Sequence, residues 1–238
     1  ELMAWVYFGG GQQLWDELYA PFGIQSFMAG NTGVQMGGWF KKPLNSLEDM
    51  KGLKMRIPGL AGEVINRLGG SSQTIPGSEV YNALQSGVID AAEWVGPWND
   101  LALGFYKIAQ NYYGPGFQEG GPALELMVNK KAFEGLTPDL QRMVKVTTAA
   151  ENQAMLADYY AKNLRAAEIL KQKHNIKLQQ YPDDILKAFF KESEEVVANV
   201  ANEGATPKKI YESYAKFRKA SIDYGAVSEL GFMKARKG

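Results

Sequence analysis

A chain of 238 residues is long enough for one large domain or two small ones. Its 26 basic residues balance its 26 acidic residues, and a net charge of zero argues against a nucleic-acid footprint or a membrane-surface patch. The absence of cysteine excludes disulfides, thiolate nucleophiles and cysteine zinc sites, and a single histidine argues against a Ser-His-Asp triad. No apolar run reaches the roughly 18 residues that a transmembrane helix needs.

The first half of the chain alternates between strand and helix patterns. In chain order, the patterns predict a helix at 10–19, strands at 22–29 and 34–40, a capped helical turn at 46–52, a strand at 53–57, a helix at 61–68, a strand at 73–75, a helix at 76–85 and a strand at 88–92. Glycine and proline separate most of these segments. Such alternation is typical of βαβ units.

The second half is rich in Ala, Lys and Glu at helical spacing. The patterns predict a helix at 101–110, an aromatic strand or loop at 111–117, a strand at 123–129, a helix at 137–173, a strand at 176–180 and helices at 183–203 and 207–224. The longest helix opens with Thr137 at the N-cap and Pro138 at the first helical position. A mixed α/β region therefore precedes a mostly helical one, with the change near residue 130.

Polar residues at predicted strand ends are the candidates for a binding site, because α/β sheets bind ligands beyond the carboxyl ends of their strands. Arg56 ends one strand, and its guanidinium could take a carboxylate through two parallel hydrogen bonds. Gln35 lies near another strand, and Glu93 with Trp94 follows a third. Carboxylate and amide oxygens suit a hard cation such as Na⁺ or Ca²⁺. An exposed arginine, an exposed glutamine and a solvated glutamate beside a core tryptophan remain the alternatives.

The residues give no positive indication of catalysis, because no nucleophile is combined with a base. The alternative is a metal-dependent enzyme, such as a lyase or isomerase with Glu93 as its base. A ligand-sensing extracellular domain is a third hypothesis.

Three motifs together resemble a known family. Residues 45–59 resemble the signature L-x-D-h-K-G-h-K-h-R, where h is hydrophobic, of the substrate-binding proteins of TRAP transporters (tripartite ATP-independent periplasmic transporters). Residues 80–91 fit that family's h-x-A-L-Q-x-G-h-h-D-A helix, and residues 136–141 match L-T-P-D-h-Q at the start of its long helix. Residues 34–35 and 92–94 resemble the branch that binds 2-oxo acids or 2-hydroxy acids with a metal cation.

The resemblance implies an α/β, two-lobed fold like that of periplasmic binding proteins, of the TRAP type, with a long bracing helix and a helical C-terminal region. Residues 1–30 and 122–180 would form part of the first lobe, including the connecting helix 137–173. Residues 31–121 would form the second lobe with most of the ligand site, and the helices of 181–238 are candidates for dimerisation. Family members are longer, so an N-terminal portion of the first lobe is expected to be missing from this chain.

The resemblance also implies a non-enzymatic, periplasmic or otherwise extracytoplasmic solute-binding protein. It would capture a small monocarboxylate, a 2-oxo acid such as pyruvate or else lactate, and deliver it to a TRAP membrane permease. The expected partners are the carboxylate, the permease subunits and a second copy of the chain, with no nucleic acid. No signal peptide is visible.

The same resemblance assigns roles to residues of this chain. Arg56 would bind the ligand carboxylate. Gln35 and Glu93, with the backbone carbonyl of Trp94, would hold a Na⁺ or Ca²⁺ ion that bridges to the ligand, so Gln35 and Trp94 count among the ligand contacts as well. Around them, the residues expected near the pocket are Trp98, Asn99 and Glu119.

Overall fold

The structure, a computed structural model, describes residues 1–236, which divide into two compact units. Unit 1 comprises Glu1–Ala29, Ala123–Asn152 and the described residues from Ala198 onward, and unit 2 comprises Gly30–Pro122 and Gln153–Val197. Residues 237 and 238 of the predicted C-terminal helical region lie outside the described residues. The lobe boundaries predicted from the sequence stay predictions.

Helices dominate the secondary structure of the described residues. The α-helices are α1 (Leu2–Phe8), α2 (Gly11–Tyr19), α3 (Leu60–Arg67), α4 (Gly77–Ser86), α5 (Pro97–Leu103), α6 (Lys130–Glu134), α7 (Pro138–His174), α8 (Asp183–Ala201), α9 (Ala205–Val227) and α10 (Glu229–Ala235). The strands are β1 (Ile24–Gly30), β2 (Gly38–Phe40), β3 (Lys54–Arg56), β4 (Ser71–Gln73), β5 (Ala91–Ala92), β6 (Asn111–Gly114), β7 (Leu124–Asn129) and β8 (Lys177–Gln180). Within residues 1–236, every helix is too short or too polar to cross a bilayer. The predicted mixed α/β architecture with a helical C-terminal region is confirmed.

Unit 2 is built on a six-stranded sheet in the order β4-β3-β5-β2-β6-β8. β3 pairs in parallel with β4 and β5, as expected for the βαβ units β3-α3-β4 and β4-α4-β5. Arg56 pairs with Ala92, and the backbone N–H of Glu93 donates to the carbonyl of Arg56 at 3.1 Å. The parallel register therefore brings Arg56 and Glu93 to the same edge of the sheet.

Both faces of this sheet are covered, because neighbouring residues on a strand point to opposite sides. On one face, Phe40 and Tyr113 pack with buried residues of α3 and α8, including Ile65 and Phe189. On the other face, the neighbouring residues of the strands pack with residues of α4, α7 and the 3₁₀ helix Phe105–Lys107. The strand residues are Trp39, Ala92 and Tyr112, and the residues that cover them include Val80, Leu84, Phe105 and Leu170. The site edge thus rests on a sheet that is packed on both sides.

Unit 1 has its own small core beside the two-stranded sheet β1-β7. Trp5 and Val6 of α1 pack with Leu14 of α2 and Met28 of β1. The indole N–H of Trp5 donates to the hydroxyl of Ser213 in α9 at 3.1 Å. The sequence patterns did not predict α1, α6 or α10.

Three predicted elements near the site were wrong in extent. The strand predicted at 34–40 is restricted to β2, because the backbone of Gln35 and Met36 bonds to Glu119 and Val95 instead of continuing the ladder. The strand predicted at 88–92 contains only the two residues of β5. The helix predicted at 101–110 begins earlier, at Pro97, and ends at Leu103, followed by a 3₁₀ turn.

Candidate functional site

Arg56 lies at the end of β3 with its guanidinium largely buried, at 12% side-chain exposure. It forms an ion pair with the carboxylate of Glu93 and also donates to the Glu93 carbonyl at 3.0 Å. Its Nε donates to the carbonyl of Ile75 at 3.2 Å. The guanidinium is therefore fixed in position by three acceptors, as suits a fork that must meet a planar anion.

Glu93 is the most buried carboxylate that lines the candidate cavity, with 6% of its side chain exposed. Burial raises the pKa of Glu93 to about 7, Arg56 opposes that rise, and the negative charges of Glu119 and Asp100 add to it. The free-energy cost of desolvating the Glu93 carboxylate is therefore larger than the stabilisation by the Arg56 charge. A cation beside Glu93 would lower that cost.

Gln35 and Glu119 form a second pair at the site. The backbone N–H of Gln35 donates to the carbonyl of Glu119 at 3.1 Å, and its side-chain Nε2 donates to Glu119 Oε2 at 2.5 Å. Gly116 donates its N–H to the Gln35 carbonyl at 2.8 Å, a close approach that a Cβ on Gly116 would block. Burial also raises the pKa of Glu119, against the attraction of Arg56.

One member of each pair, Glu93 and Glu119, lines a cavity of about 300 Å³, whereas Arg56, Gln35 and Trp94 are not among its lining residues. It is lined by Ile57, Pro58, Gly59, Leu60, Ala61, Glu93, Gln118 and Glu119. Gln118, which the sequence did not single out, donates its Nε2 to the carbonyl of Met36 at 2.9 Å. Its Oε1 is buried with no hydrogen-bond partner. The cavity therefore combines an apolar wall from the β3–α3 turn with two carboxylates and an amide.

Trp94 contributes its ring to the surroundings of Arg56. The guanidinium carbon lies 4.8 Å from the centre of the indole, a distance typical of a cation–π contact. On another side, the indole lies against Gly77 at the start of α4, where no Cβ intervenes. The packing of one tryptophan thus connects α4 to the guanidinium.

Asp100 is a residue of the site region that the sequence reasoning missed. It is 1% exposed, and its carboxylate accepts hydrogen bonds from Trp39 Nε1, Tyr112 Oη and the backbone N–H groups of Val95 and Gly96, at 2.8 to 3.2 Å. It therefore fixes the turn that follows Trp94. The only sequence signal was an acidic residue in the first turn of a helix, a position that is favourable in any helix.

Trp98 and Asn99 lie in the first turn of α5 rather than in a loop. The ring of Trp98 packs edge-on against Tyr159 at 5.0 Å, and its backbone N–H donates to Asn163 Oδ1 at 3.0 Å. Asn99 has a buried Oδ1 without a partner. Neither residue is among those that line the cavity, so their contact with a ligand stays a prediction.

The residues that the resemblance assigns to a cation offer oxygen atoms as ligands. Oε1 of Gln35 is buried and unpaired, and the orientation of the amide is set because its NH₂ group donates to Glu119. Within residues 1–236, no three His, Cys, Asp or Glu side chains are arranged so that they could hold a metal ion, so a site here must use amide and carbonyl oxygens as well. An orphaned amide oxygen beside a buried carboxylate fits a hard, oxygen-preferring cation.

Comparisons with known proteins identify similar chains. The family model "Bacterial extracellular solute-binding protein, family 7" matches residues 2–203. A monocarboxylate 2-oxoacid-binding periplasmic protein of Nostoc sp. (strain PCC 7120) is 45% identical over 229 residues, which are 96% of this chain and 63% of that protein. The chain therefore spans less than two thirds of the length of this curated relative.

Two solved structures are similar along almost the whole chain. A TRAP periplasmic solute-binding protein of Pseudoalteromonas atlantica with bound sodium and pyruvate has a TM-score of 0.90 and 40% identity, and the match covers 98% of this chain and 71% of that one. A TRAP transporter solute-binding protein of Bordetella bronchiseptica, a mixed-occupancy dimer with copurified calcium and picolinate, has a TM-score of 0.92 and 38% identity, covering 98% and 69%.

Proposed function

Because the chain belongs to the bacterial extracellular solute-binding proteins of family 7, we propose that it binds a small monocarboxylate for a TRAP transporter. The ligand is a 2-oxo acid such as pyruvate, or the related 2-hydroxy acid lactate. Proteins of this kind are transport components rather than enzymes, so a role in metal-dependent turnover of a 2-oxo acid is not proposed.

The observation that carries the proposal is the buried ion pair between Arg56 and Glu93 at the edge of the cavity. In the ligand-bound protein, the donors of Arg56 that now meet the Glu93 carboxylate would pair with the ligand carboxylate, and Glu93 would pair with the cation. Arg56 and Glu93 would each exchange one opposite charge for another, so neither of these largely buried groups is left unpaired. This exchange explains why a binding arginine can be held by an internal carboxylate before the ligand arrives.

Gln35 Oε1, the Glu93 carboxylate and the backbone carbonyl of Trp94 would hold the cation, Na⁺ or Ca²⁺. The cation would supply the positive charge that compensates Glu93 and the ligand. The unpaired Oε1 of Gln35 supports this assignment, because a buried acceptor without a partner costs about 1–3 kcal/mol. The ions named for the two similar structures, sodium and calcium, are both oxygen-preferring.

The wider role follows from the family. The protein works outside the cytoplasm, in the periplasm, and delivers the carboxylate to the TRAP membrane permease. Residues 31–121 form the lobe with most of the ligand site, residues 1–30 and 122–180 belong to the other lobe, and the C-terminal helices dimerise. Exposed apolar side chains on those helices, such as Val227 (80% exposed) and Phe232 (63% exposed), support the dimer.

Calorimetric titration with pyruvate, in sodium and in calcium buffer, tests the ligand assignment. Arg56→Lys keeps the charge but loses the two-pronged donor geometry, so we expect affinity to fall by about tenfold or more. Arg67→Lys, which changes a partly exposed arginine of surface ion pairs on α3, is the matched control and should bind normally. Wild-type affinity in Arg56→Lys and Arg56→Ala would refute the role of Arg56.

Native mass spectrometry of the purified protein tests the remaining parts together. We expect the main species to have twice the protomer mass, and each protomer to retain one carboxylic acid and one cation. A monomer at micromolar concentration would contradict the proposed dimer without affecting the ligand site.

A further inference from the structure

The charges around the cavity do not balance. Arg56 contributes one positive charge, while Glu93 and Glu119, both ionised when a cation is bound beside them, each contribute a negative charge. Asp100 also acts on Glu93 electrostatically, although four hydrogen-bond donors surround its carboxylate. Without Asp100 the named groups sum to one negative charge, and a bound monocarboxylate makes it two. A monovalent cation leaves one negative charge uncompensated, whereas a divalent cation neutralises the set.

Glu119 is tied to the cation ligands by a direct contact. Its Oε2 accepts from Nε2 of Gln35, and this bond leaves the Oε1 of the same amide as the group available to a cation. Gln35 is 6% exposed, so its unpaired oxygen is buried. Glu119 thereby orients a neutral oxygen ligand and places a further negative charge next to it.

The cavity also offers an oxygen atom beyond those of the three proposed cation ligands, Gln35, Glu93 and Trp94. Gln118 lines it and carries a second buried amide oxygen without a partner, and its NH₂ group is committed to the carbonyl of Met36. Ca²⁺ takes about six to eight oxygen ligands in flexible geometry. A surplus of carboxylate and amide oxygens therefore suits Ca²⁺.

We infer that Glu119 makes the cation site of this chain selective for a divalent ion, Ca²⁺, over Na⁺, an inference that rests on the proposed function. Glu119 acts as a positioning residue: it orients Gln35 and adds charge near the ion. The attraction between a carboxylate and a cation doubles when the ion is divalent. For a carboxylate that lies behind the ligand shell in a partly solvated site, we expect this difference to be about tenfold in affinity.

The experiment compares Ca²⁺ with Na⁺ as the supporting ion at equal ionic strength. Pyruvate affinity is measured by calorimetry in each buffer, and Ca²⁺ is titrated directly without pyruvate as a readout independent of the ligand. The wild-type protein should bind pyruvate about tenfold more tightly in Ca²⁺ than in Na⁺. Glu119→Gln should lose most of that ratio and weaken direct Ca²⁺ binding, with little change in Na⁺.

Two further variants separate selectivity from structure. Glu119→Asp keeps the charge and should retain a preference for Ca²⁺. Glu48→Gln also removes one negative charge, but from an exposed side chain that does not line the cavity, so the Ca²⁺-to-Na⁺ ratio of pyruvate affinity should be unchanged. An unchanged Ca²⁺-to-Na⁺ ratio in Glu119→Gln, or no preference in the wild type, overturns the inference. Absence of pyruvate binding in both buffers instead refutes the proposed function.

Discussion

Replacing Gly77 with alanine tests whether the packing of Trp94 controls the site. A Cβ at residue 77 would overlap Cη2 of Trp94 and would lie 2.9 Å from its Cζ2. The backbone of Gly77 is helical, so an alanine can adopt it, and the three atoms nearest to its Cβ all belong to the Trp94 ring. The substitution therefore changes one steric contact at the start of α4.

Two effects of opposite sign determine the result. Alanine is favoured over glycine in a helix by at most about 1 kcal/mol, and less near a helix start. Carbon atoms pack at about 3.5–4.0 Å, so the indole must move by roughly an ångström, and overpacking of this kind costs about 1–3 kcal/mol. Movement of the ring also weakens its contact with Arg56, worth about 0.5–2 kcal/mol. We expect Gly77→Ala to destabilise the protein by about 1–2 kcal/mol and to weaken pyruvate binding.

Denaturant unfolding and calorimetric titration with pyruvate measure the two consequences. Ser78→Ala is the control, because residue 78 is exposed on the same helix turn and the substitution gains helix propensity there. If Gly77→Ala is as stable as Ser78→Ala and binds pyruvate as the wild type does, the packing argument is wrong.

Two predictions concern ionisation. Arg56 lowers the pKa of Glu93, so in Arg56→Met that pKa rises above its present value of about 7. The free energy of unfolding that the variant loses relative to the wild type should therefore grow as pH increases beyond about 7. Denaturant unfolding measures this loss, and equal losses at pH values on either side of about 7 would contradict the prediction. Burial raises the pKa of Asp100 from 3.8 to about 6, so folding takes up a proton between these pH values. The protonated carboxyl group of Asp100 contributes about 3 kcal/mol to the free energy of unfolding at low pH, and this contribution is lost as pH rises through about 6. Asp100→Asn removes this dependence, and its stability–pH curve should be flatter than that of the wild type between about pH 4 and 6; parallel curves would refute the assignment.

The order of the elements and the family could be predicted from local patterns. Period-two and helical spacing, with glycine and proline between segments, predicted the run from β3 to β5 to within a few residues. The motifs at 45–59, 80–91 and 136–141 predicted the family, and that prediction is confirmed. The capping motif at Ser46 was also correct: the Asp49 carboxylate accepts from the backbone N–H of Asn45 and Ser46.

The boundaries near the site could not be predicted in the same way. Gln35 reads as a strand residue, but its backbone bonds to Glu119 and Gly116, residues more than eighty positions away in the chain. Asp100 reads as an ordinary first-turn acid, and nothing local indicates that Trp39 and Tyr112 will donate to it. Gln118 carries no motif at all, and its place in the cavity depends on a long-range bond to Met36.

The sequence by itself determined which residue types are available at or near strands: a guanidinium at Arg56, a carboxylate at Glu93 and an amide at Gln35. Local spacing was sufficient for this, because a strand's periodicity and its terminating turn are encoded within a few residues. Only the tertiary structure decided their pairing, with Arg56 on Glu93 and Gln35 on Glu119. Parallel register, burial and loop contacts set these distances, and each depends on residues far apart in the chain whose charges interact strongly only once water is excluded.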